Sequence, residues 1–309
     1  MTPKNDTREP NNMTTHILSD LEAKAAAGKA FSREEAARVM SCADLVSVGV
    51  LAESARQAKH GTTVTFGQVL IVDGTVAPEA LGDAGEVRIT TSPASVDAAC
   101  ALVRDVVAVA GVVPVTGFSA AELVALAGAD HLVLADVAAR LKAAGLTGVA
   151  FLPMDQLEDP TEVVRALTHG GLQVATATID RAVTPDALLD CLDRIATVQR
   201  DTSALRAVAP LPRFDDSDVP SSGYDDVRTI AVTRLVCADV SSIQVDWVHY
   251  GPKLAQVAIA YGADDIDNVP ALDPLGLGHR RSPAEDIARQ ITAAFATPVA
   301  RDGRFEHLR

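Results

Sequence analysis

The stretch IQVDWVHYGPKLAQVAIAYGADDIDNV, residues 243–269, reads as strand, helix, strand. Ile243–Val248 is a short run rich in β-branched residues, and Pro252–Tyr261 sets Leu254, Ala255, Ala258 and Ile259 at helical spacing before Gly262 breaks the pattern. Asp264–Val269 then returns to a short strand-like run. A helix joining two short strands favours a parallel sheet with crossover connections.

The same alternation extends outward from this unit. Further strands are expected at Val64–Val72, Glu86–Thr90, Val112–Thr116, Gly148–Leu152, Leu172–Thr178 and Leu205–Ala209. Helices are expected at Ser95–Ala110, Ala135–Ala144, Thr184–Arg200 and Asp225–Ala238, with a final one at Pro283–Ala296 that opens on Ser282 and Pro283. Eight strands with intervening helices are the count of a (β/α)8 TIM-type barrel, whose site lies at the carboxyl ends of the strands. An open doubly wound sheet is the alternative, because periodicity does not prove closure. Before the first strand, Ile17–Lys59 reads as helices only, with Ser32-Arg33-Glu34-Glu35 as a capping box. The expected organisation is a disordered tail over 1–14, helices packed on the barrel over 15–62, and the barrel over 63–309. Two irregular stretches, Pro210–Tyr224 and Pro270–Pro283, are expected at the site face; the second holds Asp273, His279, Arg280 and Arg281.

Composition narrows the function. A formal charge of −14 repels a phosphate backbone, and the densest basic group, His279-Arg280-Arg281, is short, so no nucleic-acid partner is expected. The longest apolar tract, Ala98 to Val115, is broken by Arg104 and Asp105, and the polar start lacks an apolar signal core. Neither a membrane span nor a secretory leader is read here, and a cytoplasmic protein is expected. The four cysteines, Cys42, Cys100, Cys191 and Cys237, lie far apart, which suits buried thiols in a reducing compartment rather than a disulfide framework. Dinucleotide, P-loop, zincin and nucleophile-elbow signatures are all missing from the sequence.

Several stretches, in order, resemble the aminofutalosine synthase and dehypoxanthine futalosine cyclase family, radical S-adenosylmethionine enzymes of the futalosine route to menaquinone. They include Ala58-Lys59-His60-Gly61, Phe118-Ser119-Ala120-Ala121-Glu122-Leu123, Val137–Leu146, Thr176-Ala177-Thr178 and Ala209–Phe214. The most specific are Arg228–Leu235, Trp247, Leu254-Ala255-Gln256 and Tyr261–Asp267. The resemblance implies a radical-enzyme barrel over roughly residues 15 to 309.

The departures fall where that family does its chemistry. Where the relatives carry Cys-x3-Cys-x2-Cys after the first strand, this chain has Asp73-Gly74-Thr75-Val76-Ala77-Pro78-Glu79. A glycine-rich segment after strand four is replaced by Leu152-Pro153-Met154-Asp155-Gln156, and paired glutamates after strand eight by Asn268–Asp273. A [4Fe–4S] cluster needs several thiolates converging on it. Cofactors are therefore expected to be none: neither a cluster nor bound S-adenosylmethionine.

Candidate site residues follow from the barrel face. His249, just past strand seven, is the catalytic candidate, since imidazole moves protons near neutral pH. Asp155, Asp180, Arg181, Trp247 and Asp267 are the ligand-binding candidates. Asp265 and Asp267 alternate onto one strand face and Asp264 onto the other; two inward carboxylates would hold a hard cation or raise one another's pKa. Packing is the stronger reading, and no metal is expected. Lys142 and Lys253 fall on helices, which argues against a Schiff-base mechanism. The expectation is a cluster-free paralogue that binds a small nucleoside-like molecule or an active family paralogue. An enzyme with polar acid/base chemistry (lyase, isomerase or hydrolase) is the alternative.

Overall fold

The computed structural model describes residues 18–74, 81–182, 184–212, 221–272 and 283–308. The polar tail, the centre of the Pro210–Tyr224 stretch, and Asp273 with His279-Arg280-Arg281 lie outside these residues. Three helices lead in: α1 (Ser19–Ala26), α2 (Arg33–Ser41) and α3 (Leu45–His60). Ser32 opens α2 with the expected capping box, its hydroxyl accepting from the Glu35 backbone while the Glu35 carboxylate accepts from the Ser32 N–H.

The strands are β1 (Thr63–Val72), β2 (Glu86–Ile89), β3 (Val115–Ser119), β4 (Gly148–Pro153), β5 (Gln173–Val174), β6 (Thr176–Ile179), β7 (Ala207–Pro210), β8 (Ser242–Asp246) and β9 (Asp265–Pro270). Each neighbouring pair is parallel, and β9 pairs back with β1, so the sheet is a closed eight-stranded barrel in which β5 and β6 are two parts of one interrupted strand. The open-sheet alternative is thereby set aside. Around it run α4 (Val96–Ala110), α5 (Ala120–Leu126), α6 (His131–Ala144), α7 (Pro160–His169), α8 (Pro185–Thr202), α9 (Gly223–Val236), α10 (Trp247–Ile259) and α11 (Pro283–Ala293). Among the described residues no helix is long and apolar enough to cross a membrane.

Three features differ from the sequence expectation. The third strand starts at Val115 rather than Val112, because Gly111 closes α4 at φ +61° and leaves Val112 in a turn, 92% exposed. The seventh strand ends at Asp246 rather than Val248: the Asp246 carboxylate caps a helix that begins at Trp247, and Gly251 at φ +71° kinks it before Pro252. An additional strand, β10 (Thr297–Arg301), was not expected. It pairs with the amino-terminal half of β1, at Thr63–Gly67, whereas β2 pairs with the carboxyl-terminal half, at Val69–Val72.

That extra strand delivers Arg301 into the barrel. Gly67 makes room, since a Cβ there would lie 2.8 Å from the Arg301 Nη1. Arg301 donates to both carboxylate oxygens of Asp265 at 2.7 Å and to Asp267 at 2.9 Å, and its guanidinium stacks 4.1 Å from the Phe305 ring. Arg88 completes the group, donating to Asp267 at 2.8 Å and to Glu86 at 2.8 Å. Thr65 and Gln244 donate further hydrogen bonds to the two Asp265 oxygens, and Thr116 donates to the Glu86 oxygen that Arg88 also holds. Paired and hydrogen-bonded, these charges meet the condition for burial.

Candidate functional site

Asp265 and Asp267 do share the inward face, and Asp264 faces outward to Arg234, as alternation requires. Packing is the stronger reading of this group, and its alternative, that the two inward carboxylates raise one another's pKa, does not hold at Asp267. Burial alone would raise Asp267, but the Arg88 and Arg301 charges outweigh it and hold the carboxyl at about 2. Among the described residues no group of three or more His, Cys, Asp or Glu is placed to hold a metal ion.

Above this polar interior, the strand ends enclose a mouth cavity of about 400 Å³. Apolar walls come from Ile89, Phe118, Phe151, Pro153 and Leu211; polar groups come from Glu122, Gln156, Asp180, Asp246 and His249, among others. This combination of apolar surface and a few oriented polar groups is that of a small-molecule site. Phe118 has φ +61° although it is bulky and buried, a strained conformation of the kind that gathers at functional sites.

His249 stands in the first turn of α10. Asp246 Oδ1 accepts from its backbone N–H at 2.8 Å and lies 3.0 Å from its Nδ1, and Asp246 Oδ2 accepts from the Asn268 side-chain amide at 3.0 Å. The hydrogen bond to Asp246 raises the His249 pKa above its ordinary value, against the opposing effect of burial. Asn268 reaches Asp246 because β9 bulges: β1 and β9 pair at Phe66 with Ile266 and next at Gln68 with Val269, and Asn268 takes φ +58°.

Asp180 lies just past β6. Gln156 donates to its Oδ2 at 3.0 Å, and Asp155 Oδ2 accepts from the Asp180 backbone N–H at 2.9 Å and from that of Arg181. Burial, then the charge of Asp155, raises the Asp180 pKa.

Of the sequence candidates, His249 and Asp180 therefore meet at one cavity, and Asp155 braces its wall. Arg181 is exposed, Trp247 is half-buried with its indole N–H unpartnered, and Asp267 lies deeper, among the arginines; none of these three lines the cavity. Asp246, Asn268, Phe118, Phe151 and Glu122 were not singled out for the site. The i, i+3 spacing of Asp246 and His249 was the one available signal.

The cluster of the radical enzymes can be tested against the thiols present. Cys42 and Cys237 cap the carboxyl ends of α2 and α9, and Cys100 and Cys191 lie on α4 and α8. All four are buried, burial pushes the Cys237 thiol up to about 12, and none lines the mouth cavity. This set does not present three converging thiolates, so it does not fit a cluster.

Comparison with known proteins bears on the scaffold. No family model matches the chain. It is 26% identical over 220 residues to the 5-amino-6-(D-ribitylamino)uracil–L-tyrosine 4-hydroxyphenyl transferase of Archaeoglobus fulgidus, covering 62% of this chain and 64% of that one. It is 28% identical over 154 residues to the aminodeoxyfutalosine synthase of Thermus thermophilus (44% of this chain, 40% of that one). The cyclic dehypoxanthine futalosine synthase of Streptomyces coelicolor is 25% identical over 170 residues (52% and 42%). The chain is thus similar in part of its length to aminodeoxyfutalosine synthases and a cyclic dehypoxanthine futalosine synthase, as well as to the archaeal transferase. Its matches span less than two thirds of the length of these relatives. Among solved structures, methylornithine synthase superposes with a TM-score of 0.67 at 13% identity, covering 90% of this chain and 97% of that one, a likeness of fold alone.

Proposed function

We propose that this protein is a cluster-free member of the radical-enzyme scaffold that holds a nucleoside-like small molecule at the mouth of its barrel, in the cytoplasm and in service of menaquinone synthesis. In this reading it binds no S-adenosylmethionine and carries out no radical step. It acts as a binding or accessory protein, alone or with an active paralogue. The observation that carries the reading is a cavity of about 400 Å³ at the strand ends whose lining includes no thiol. Such a cavity retains what ligand recognition needs after cluster ligands are gone.

Calorimetry tests it, with aminodeoxyfutalosine, dehypoxanthine futalosine, 5-amino-6-(D-ribitylamino)uracil and an active paralogue as titrants. Measurable binding of at least one is expected, and no heat with any of them removes the reading. Anaerobic iron reconstitution is expected to leave the protein colourless; about four irons per chain with [4Fe–4S] absorbance would refute the cluster-free assignment. A second reading, an enzyme with polar acid/base chemistry, is favoured by the contact between His249 and Asp246 inside that same cavity.

A further inference from the structure

The polar groups of the mouth are more elaborately held than ligand binding or helix capping requires. An amino-terminal cap on α10 needs only Asp246 Oδ1 and the His249 backbone N–H. Here the same carboxylate also takes the ring nitrogen Nδ1, and its other oxygen is fixed by Asn268 from a bulged neighbouring strand. With Nδ1 directed at a carboxylate, the proton of neutral imidazole resides on Nδ1 and the lone pair on Nε2. The ring lines the cavity and is 38% exposed.

Asp180 has the complementary character. It borders both the mouth cavity and a smaller one of about 130 Å³ beside it. Its Oδ1 and the Oδ1 of Asp155 are both buried without a hydrogen-bond partner, although every other oxygen of the two carboxyls is engaged. Two neighbouring acids with one orphaned oxygen each are accommodated when one carboxyl keeps its proton, because like charges in a common buried site do not both ionise.

We propose that the mouth is a proton-transfer site, with His249 as base, Asp180 as acid, and Asp246 and Asn268 as positioning residues for the imidazole. The ligand class is an uncharged, ring-bearing carbonyl compound, its ring set between Phe118 and Phe151. His249 Nε2 takes a proton from the carbon next to the carbonyl, the C–H electron pair forms a carbon–carbon double bond, and the carbonyl oxygen takes the proton of Asp180. In a ligand whose carbonyl carries a β,γ carbon–carbon double bond, return of a proton from His249 to the far carbon of the dienol, with Asp180 recovering its own, completes an isomerisation. The ligand's composition is unchanged, and no oxidant, reductant or co-reactant is consumed. The inference deepens the second, acid/base reading and rests on the mouth being a ligand site, but its first tests need no ligand.

In the full chain labelled with 15N-histidine, His249 is identified by the signal lost in His249→Gln. Carboxyl groups face it from three sides: Asp246 at the end of β8, Asp180 just past β6 with Asp155 behind it, and Glu122 on α5. Neutral His249 is expected as the Nδ1–H tautomer. Its titration midpoint should fall by about one pH unit in Asp246→Asn, which removes a negative charge that favours imidazolium, and stay in place in Asp180→Asn, because a carboxyl that keeps its proton carries no charge to remove. An Nε2–H tautomer, or a midpoint that Asp180→Asn lowers as the loss of a negative charge would, overturns the proposal. Should either variant fail to fold, 13C-carboxyl titration of the wild-type protein decides: Asp180 protonating above the ordinary aspartate value supports the pair, and protonation at that value overturns it. Any compound that calorimetry shows to bind is then incubated in D2O. Deuterium at a ligand carbon, appearing at least ~100-fold more slowly with His249→Gln, is the expected result, and a bound compound that gains none refutes the transfer. Absence of binding would instead remove the ligand reading, with the titrations still readable.

Discussion

Arg301 enters the barrel from the amino-terminal end of β1 and meets two carboxylates at hydrogen-bond distance, while Arg88 holds one of them from the other side. Removing Arg301 would leave Asp265 and Asp267, both at most 2% exposed, with half of their compensating charge. Arg301→Leu is therefore expected to destabilise the protein by ~3–5 kcal/mol, measured by denaturant unfolding. Arg301→Lys should recover little, because an ammonium cannot span two carboxylates as a planar fork does. None of this was legible at the sequence level, since Arg301 lies far beyond the last expected strand and its partners looked like a cation site or a packing cluster. His249 and Asp180 were legible, because strand ends of a barrel gather function. Asp246 and Asn268 were not: one looked like strand interior, and the other acquires its role only through a bulge that shifts register by one residue.

At the scale of elements, the helices were read from apolar spacing and caps, and that is where the sequence speaks most directly. Ser32 is the clearest case, with both halves of its capping box formed. Ser32→Ala should cost about 1 kcal/mol, as a lowered unfolding midpoint with an unchanged denaturant slope, because α2 is buried through Ala36 and Val39 and unfolds with the rest. Strand ends were less legible. The run around Val112 satisfies β-propensity, yet Gly111 and Pro114 keep it in a turn and pairing starts only at Val115. β10 escaped notice because Thr297–Arg301 is short and only half-buried for most of its length. Its identity comes from a partner more than two hundred residues away, which no local pattern can reveal.

The whole molecule combines a surface of strong negative charge with a buried, balanced interior, and the two respond to pH in opposite directions. A formal charge of −14 makes the folded chain repel itself, and although His60, which burial and the Arg234 charge hold down to about 4, gives up stability as pH falls below its unfolded value, proton binding from pH 8 toward 5 eases that repulsion. His249 acts in the same sense: a raised folded pKa contributes stability that is complete below the unfolded value and lost as pH rises through the folded one. Asp267 acts in the opposite sense. With a folded value of about 2 against an ordinary 3.8, its contribution is complete above ~4 and disappears as pH falls toward 2. Stability should therefore rise from pH 8 to about 6.5, below which the depressed His60 value opposes the gain, and fall steeply below about 4, measured as the urea midpoint across that range. Added salt separates the causes. Near 0.5 M it should flatten the upper limb, which arises from solvent-screened surface charge, and leave the lower limb in place, because the pairs of Asp267 with Arg88 and Arg301 lie where mobile ions do not reach. A lower limb that flattens equally with salt would mean that the interior pairs are not what holds the barrel together in acid.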